Sequence, residues 1–501
     1  MILSQENLQF INKDNIIKPQ SHFFELPEKV LQFGTGVLLR GLPDYFINKA
    51  NHQGVFNGRV AVVKSTSGDT SEFDAQDSLY TLCIRGLEGG RLIEENIISS
   101  AISRVIAAED NWGSVLAIAV SNDLKIIVSN TTEVGITLVN ERIDQNPPSS
   151  FPAKVLAVLY ERFKAFNGSK ESGLVIIATE LIPDNGTKLA TIVLQLAQFN
   201  NLEASFVAWL TTANTFCNSL VDRIVPGKPD EDTLAQLQQE LGYADQLLAM
   251  AEPYRLWAIE GGEQVKEALE FARVDAGVVI AEDIEIYREL KVRLLNGTHT
   301  LSAGIAFLLG IDTVKSAMKD EQVKQYIETL MASEISLAIP YEVSAHQTAE
   351  FSKAVIDRFA NPFIEHLWHN ITFQYTMKMK IRILPLIANY YDIYNKAPHH
   401  IALGFAAYLL FMKVNKKENG KYYGSLNGHQ YLINDDSAAY FYQHQKDNYV
   451  VSVLTDVGFW KLDLGALPGL IESVNEKYNT ILNNGMEVAL SNLPSSKIYS
   501  V

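Results

Sequence analysis

Three features of the sequence predict an α/β chain built from two domains. A strand pattern, a glycine turn, a helical pattern and a second strand follow one another at residues 29–64. Short, continuously apolar strand patterns then alternate with helical ones as far as residue 284. Beyond 285 the texture is almost wholly helical. Alternation of that kind implies a doubly wound, mostly parallel sheet whose strands are buried on both faces. Residues 1–284 are therefore expected to form the sheet domain, and residues 285–501 a mainly α-helical C-terminal domain.

Residues 1–27 are polar and irregular, an arm to the first domain. Residues 29–33 (KVLQF) read as a buried strand, 37–50 as a helix and 59–64 (RVAVVK) as the next strand. That order is a βαβ unit, which requires a right-handed crossover and parallel pairing. Further strands are expected at 80–84, 124–129, 173–179 and 206–211, with helices at 109–116, 152–167 and 189–199 between them. In the second part, helices are expected at 288–310, 316–338, 349–356, 362–380, 384–396 and 400–413. No internal repeat, low-complexity tract or long linker interrupts the chain.

Composition narrows the partners. A hydrophobic content of 47% and a charged content of 20% are ordinary for a globular protein. The formal charge of −16, from 42 basic and 58 acidic residues, argues against nucleic acid or an anionic membrane as partner. Cys83 and Cys217 are the 2 cysteines, too few for a disulfide framework and suited to a reducing compartment. The first residues lack a secretory pattern, and the apolar run at 401–414 is too short to span a bilayer, so a cytoplasmic chain is expected. The expected form is a monomer or small homo-oligomer.

The first chemical motif is Phe33-Gly34-Thr35-Gly36-Val37-Leu38-Leu39-Arg40. Two glycines between a strand and a helix allow a tight turn, and the helix N-terminus offers N–H groups to a pyrophosphate. This turn makes a Rossmann-like, dinucleotide-binding domain the expectation; a plain turn is the competing reading. Leu39 stands where the fingerprint has its third glycine. Lys64-Ser65-Thr66 follows the next strand in place of the usual acidic residue, which leaves NAD and NADP open. Asn130, Thr131 and Glu133 lie at the carboxyl end of the 124–129 strand, the edge where such sheets bind ligands. A capped turn is the alternative there.

The second motif lies on the predicted helix 288–310, whose leucines and isoleucine recur every three and four residues up to Gly310. Lys291, Asn296 and His299 fall at about 0°, 140° and 80° around a straight α-helix. Amine, carboxamide and imidazole together supply a base and two donors, as chemistry at a carbonyl or secondary alcohol requires. A solvated helix face is the competing reading. Lys291 and His299 would also be about 12 Å apart along a straight axis. One substrate can touch both only if the helix starts near Lys291 or is disturbed at Asn296-Gly297.

These stretches together resemble the long-chain mannitol dehydrogenase family. The resemblance rests on FGTGVLLR at 33–40, ELIPDNG at 180–186, FCNSLVDRIVP at 216–226 and the K-x4-N-x2-H pattern of Lys291, Asn296 and His299. SLYTLCIRGL at 78–87, SNTTEVGI at 129–136, YRELKVRLLNGTHT at 287–300 and KMKIRILP at 378–385 resemble its uronate-reducing branch most. The resemblance implies reversible reduction of D-tagaturonate to D-altronate, as in galacturonate breakdown. Fructuronate and polyols are the alternative substrates. It implies NAD as cofactor, held by Phe33, Gly34, Thr35, Gly36, Arg40, Asn130, Thr131 and Glu133, and no metal. Lys291 would be the general base in oxidation. Asn296 and Asn185 would hydrogen-bond the reacting oxygen, and His299 would orient the substrate. Asp222 and Arg223 would line the cleft or form a structural ion pair. Lys378, Lys380 and Arg382 are candidates for a substrate carboxylate. Arg288 would suit an acidic sugar or simply be solvated.

Two other classes compete. His346, His366, His369, His399 and His400, with Glu365, invite a metal-dependent lyase or isomerase, but no H-E-x-x-H or cysteine-containing ligand set is present. A non-catalytic dinucleotide-binding redox sensor would keep the glycine turn and have no need of Lys291.

Overall fold

A computed structural model describes residues 1–65, 68–132, 134–445 and 448–494. The chain divides into two compact units: Met1–Arg85 with Leu92–Ile284, and Gly86–Arg91 with Glu285–Val501.

The first unit is organised by a six-stranded, wholly parallel sheet. Its elements are β1 (Glu28–Phe33), α1 (Val37–Gly41), α2 (Pro43–His52), β2 (Arg59–Lys64), β3 (Ile102–Ala107), α3 (Trp112–Ala119), β4 (Ile126–Ser129), α4 (Phe151–Ala165), β5 (Val175–Ala178), α5 (Asn185–Phe199), α6 (Ala204–Thr212) and β6 (Thr215–Cys217). The strand order is β3-β2-β1-β4-β5-β6. That is the doubly wound dinucleotide-fold order, with its switch point between β1 and β4. Successive residues serve opposite faces: Val30, Val60, Val62, Ile126 and Val128 join one core, while Leu31, Ala61, Val63 and Ile127 join the other. Burial on both sides is why these strands read as unbroken apolar runs.

Two sequence expectations are corrected here. Residues 37–50 form two helices, not one, because Pro43 opens α2 and Leu42 before it leaves the α region at φ −133°. Residues 206–211 belong to α6, not to a strand. Phe206, Trp209 and Leu210 are spaced three and four apart and bury one helix face, and that period overrides the β-propensity of the segment. The unit also carries a four-stranded sheet (Ile16–Ile17, Arg91–Ser99, Tyr80–Glu88, Ala249–Ala251, in that order) and a three-stranded one (Ser219–Asp222, Leu256–Glu260, Val278–Ala281).

In the second unit the segment carrying the lysine motif is not one α-helix. Helix α7 (Glu285–Leu290) runs into a π turn (Lys291–Gly297) and then into α8 (Thr298–Leu308). Gly310, at φ +72°, ends it. Its N–H donates to Phe307 and that of Ile311 to Ala306, the pattern of a Schellman cap. Downstream lie α9 (Glu321–Leu330), a second π turn (Met331–Ile335), α10 (Ala345–Phe359), α11 (Trp368–Ile371), α12 (Tyr375–Lys378), a third π turn (Met379–Ile383), α13 (Leu384–Tyr394) and α14 (His399–Phe411). The helix expected at 362–380 is thus broken, and Gln374 at φ +51° separates α11 from α12. Helix α14 is buried on nearly all sides, and α8 crosses it closely. A Cβ on Gly304 would lie 2.9 Å from the Ala407 backbone, and one on Gly404 would lie 2.8 Å from Leu301. A three-stranded antiparallel sheet over Lys416–Glu418, Lys421–Leu426 and His429–Leu432 was not anticipated. Its turns are Asn419-Gly420 and Asn427-Gly428, all four residues at positive φ, and that dipeptide is a hairpin signal.

Candidate active site

In the first unit the glycine turn sits at the switch point. Gly34 has φ +127°, and a Cβ there would lie 2.8 Å from the Asn130 carbonyl oxygen and 3.1 Å from Leu39 Cδ1. The loops leaving β1 and β4 therefore approach within backbone contact, which only glycine permits. Leu39, in the third-glycine position, is buried beneath this contact. Gly36, exposed at the N-cap of α1, has nothing within 4 Å of its hypothetical Cβ, so its surroundings admit a ligand's backbone approach. Phe33 is fully buried against Phe151, and Thr35 is half-buried.

The turn is braced from below and beside. Gln32 Nε2 donates to the Gly34 carbonyl (3.3 Å) and to Asp44 Oδ2 (3.4 Å). Burial pushes the Asp44 carboxyl up to about 7. Asn130 Nδ2 donates to Thr179 O and Oγ1, both at 3.0 Å. Glu180, which the sequence reading passed over inside ELIPDNG, accepts from the Thr131 N–H and hydroxyl, each at 2.9 Å, and from Ser129 Oγ at 3.2 Å. The side chains of Asn130 and Thr131 thus fasten the loop to the end of β5. Glu133 and Thr66 lie outside the described residues; Lys64 donates to the Asp69 carbonyl at 2.9 Å.

Several expected site residues of this unit make bracing contacts. Arg40 is buried, donates to the Leu247 carbonyl and faces the Phe73 and Tyr80 rings, so its guanidinium supports the fold and does not line the turn. Arg223 donates to Glu252 O (2.8 Å) and Gly41 O (2.6 Å) and lies 4.6 Å from the centre of the Tyr45 ring. Burial lowers its pKa to about 10, and it ties the strand ending at Asp222 to the end of α1. Asp222 is buried at that strand end. Asn185 is 1% exposed; its Nδ2 donates to Glu180 O and Ser219 O, and its Oδ1 accepts from the Gly186 and Ser219 N–H groups. All four hydrogen-bonding positions of that amide are taken, leaving none for a reacting oxygen. In this arrangement the amide braces the turn.

In the second unit the helix of the lysine motif is disturbed by the π turn at Lys291–Gly297. Residues five apart diverge by about 140° on an α-helix, whereas i→i+5 bonding stacks them. Lys291 and Asn296 therefore share one side of the π turn, with His299 one α-turn further on. Lys291 and Asn296 are half-buried and His299 is 8% exposed. Among the described residues, His299 Nε2 is buried with no hydrogen-bond partner.

The imidazole of His299 is fixed by ring contacts. It stacks on Phe359 at 4.1 Å and meets His366 (5.0 Å) and Trp368 (5.9 Å) edge-on. Burial first, then the positive field of His366, Arg358, Arg382 and Lys378, holds its pKa well below the usual histidine value. A neutral imidazole positions a substrate by one donor and one acceptor. Lys378 Nζ donates to Ile371 O at 2.7 Å, and burial with neighbouring Arg382 brings its pKa down to about 8. Lys380, two residues on, points elsewhere, 3.7 Å from the centre of the Phe459 ring. Arg382, four residues from Lys378, donates to Thr300 Oγ1 (3.2 Å) and Asn296 O (3.4 Å). Arg288 is committed to a partly exposed pair with Glu285 on α7. Lys378 and Arg382 thus join the His299 region, while Lys380 and Arg288 do not. Sequence spacing gave no sign of His366 or Trp368 beside His299.

Among the described residues, no group of three or more His, Cys, Asp or Glu could hold a metal ion, and no helix is long and apolar enough to cross a membrane. His400 is instead paired with Glu334 (2.9 Å) at the start of α14, and His346 with Glu350 on the surface.

Residues 28–272 match the mannitol dehydrogenase Rossmann domain and residues 283–482 the mannitol dehydrogenase C-terminal domain. The chain is 35% identical over 496 residues to the altronate oxidoreductase of Halalkalibacterium halodurans, with 96% of each chain covered. It is 36% identical over 478 residues to that of Bacillus subtilis, covering 94% of this chain and 96% of the relative. Its fold resembles Pseudomonas fluorescens mannitol 2-dehydrogenase in ternary complex with NAD and D-mannitol (TM-score 0.66, 21% identity, 98% and 99% covered). It also resembles a substrate-free D-sorbitol dehydrogenase (TM-score 0.77, 20% identity, 98% and 100% covered). The α/β and helical units expected from the sequence are therefore those of a known architecture, and the chain belongs to the mannitol dehydrogenase family of oxidoreductases acting on CH–OH groups.

Proposed function

We propose that this protein is an NAD-dependent reductase of a keto-uronate, converting D-tagaturonate to D-altronate and running in reverse with NAD. The observation that carries the substrate class is that Lys378 and Arg382, with Arg358, act with their positive charge on the buried His299, and such cations suit a sugar acid. Full-length similarity to altronate oxidoreductases supports the choice of acid. The open turn between Gly34 and Gly36 fits a dinucleotide pyrophosphate, and the bound nicotinamide would exchange hydride with the substrate carbon.

The chain's own groups do the rest. In reduction, the Lys291 ammonium gives a proton to the carbonyl oxygen as alkoxide charge develops; in oxidation, the amine takes it back. Asn296 donates its carboxamide N–H to that oxygen. His299 orients the sugar, and Lys378 meets the carboxylate. Free, buried Cys83 and Cys217 support a reducing, cytoplasmic setting.

The test is NADH consumption by the purified protein with D-tagaturonate and D-fructuronate in parallel and no added metal. Turnover of tagaturonate is the expected result. Turnover of fructuronate or a polyol instead moves the specificity. No oxidation of NADH or NADPH with any of them overturns the enzymatic reading in favour of a sensor.

A further inference from the structure

The π turns of the second unit are not scattered. The one at Lys291–Gly297 packs against both the one at Met331–Ile335 and the one at Met379–Ile383. A π turn shifts the ladder from i→i+4 to i→i+5, so backbone carbonyls lose their regular partners and must be met from outside.

Between the first and third π turns, arginines meet them reciprocally. Arg293, in the first, donates Nη1 to the carbonyls of Ile381 (2.7 Å) and Arg382 (3.0 Å) in the third. Its other edge grips Glu289 on α7, with Nε to Oε2 at 2.8 Å and Nη2 to Oε1 at 3.1 Å. Both side chains are largely buried, at 8% and 12% exposure. Arg382, in the third turn, reaches back to Asn296 O (3.4 Å) and Thr300 Oγ1 (3.2 Å), and Thr300 Oγ1 itself donates to Asn296 O (2.7 Å). The Asn296 carbonyl is thus held from two sides. Gly297 fits the same contact: a Cβ there would meet Ile383 and Leu386 at 3.7 and 3.8 Å.

We propose that Glu289, Arg293 and Arg382 form a clasp of positioning residues that keeps residues 291–297 in π rather than α register, and so holds Lys291 and Asn296 on one side. This rests on the reading of Lys291 and Asn296 as the reacting pair. Released, the segment gains regular α hydrogen bonds and rotates Asn296 away from Lys291. A planar fork is needed because one side chain must grip a carboxylate and two carbonyls at once. Lysine, with a point charge, cannot replace it.

The test uses R293M, R293K, E289Q and R382M in the full chain, with two independent readouts. Kinetically, R293M and R293K lower kcat on the order of 100-fold, the effect of displacing a reacting group by about an ångström. KM and NADH affinity change little, and E289Q, whose amide still accepts one N–H, loses less. By hydrogen exchange, amides of 291–300 in R293M and R382M lose at least about ten-fold protection while the six-stranded sheet keeps its own. The exchange arm stands whether or not the protein turns over uronates, so its failure is distinct from failure of the functional reading. Unchanged exchange at 291–300, or kcat within about two-fold of wild type in both R293K and R382M, overturns the clasp. If R293M does not fold, E289Q with unchanged kcat and exchange does the same.

Discussion

Asn185 in the first unit and Asn296 in the second carry the same side chain, and the sequence suggests the same task for both. The first is sealed in a turn with every donor and acceptor used. The second is half-buried on the π turn. The contrast extends to their surroundings. Arg40 and Arg223 donate to the backbone carbonyls of Leu247, Glu252 and Gly41. In the second unit His299 Nε2 and Trp368 Nε1 remain unpartnered beside a group of cations. One region is a scaffold that presents backbone; the other presents side chains.

Breaking that comparison at its strongest point is the largest effect expected. Lys291→Ala should lower kcat by about 10²–10⁴-fold, the usual worth of a general acid–base group, while NADH affinity by fluorescence titration stays near wild type. Equal loss of both would make Lys291 structural. Next, Lys378→Met should raise KM for the keto-uronate about 10- to 100-fold, the loss of one charge-assisted hydrogen bond, with a smaller change in kcat. Gly34→Ala tests the scaffold: with φ +127° and a Cβ 2.8 Å from Asn130 O, it should weaken NADH binding by at least about ten-fold and leave residual kcat at saturating cofactor.

The smallest effect is on pH dependence. The Asp44 carboxyl keeps its proton to about 7 in the fold, against an ordinary 3.8. Between those values the folded chain holds the extra proton, so its contribution is fully present below about pH 4 and is lost as the pH rises through about 7. Asp44→Asn should therefore reduce the fall in Tm between pH 5 and pH 8 by a few degrees. An unchanged profile would show that Asp44 is ionised in the fold.

The sheet was legible because a parallel, doubly buried strand leaves a continuous apolar run, and β1, β2, β4 and β5 each did so. Segment 206–211 misled because Val, Trp and Thr favour strands while the three-and-four spacing of Phe206, Trp209 and Leu210 favours the helix they form. The lysine motif was legible as a triplet. The span of about 12 Å between Lys291 and His299 asked for a helix starting near Lys291 or a disturbance at Asn296-Gly297, and a π turn covers Lys291–Gly297. The arginine contacts were not legible: Arg293 reaches the Ile381 and Arg382 carbonyls across 88 and 89 residues of chain, a separation that no local pattern encodes. The sealing of Asn185 was not legible for the same reason, since hydrogen-bond satisfaction is a tertiary property.

The most direct measurement of the account is therefore kcat and Tm of Asn185→Ala and Asn296→Ala, taken side by side. The account predicts mirror images. Asn296→Ala loses on the order of 10²–10³ in kcat with Tm nearly unchanged, as removal of an oxyanion donor does. Asn185→Ala loses several degrees of Tm, since it strands buried partners at about 1–3 kcal/mol each, while the folded fraction keeps most of its turnover. A large loss of kcat in Asn185→Ala at wild-type Tm, or full turnover in Asn296→Ala, would contradict it.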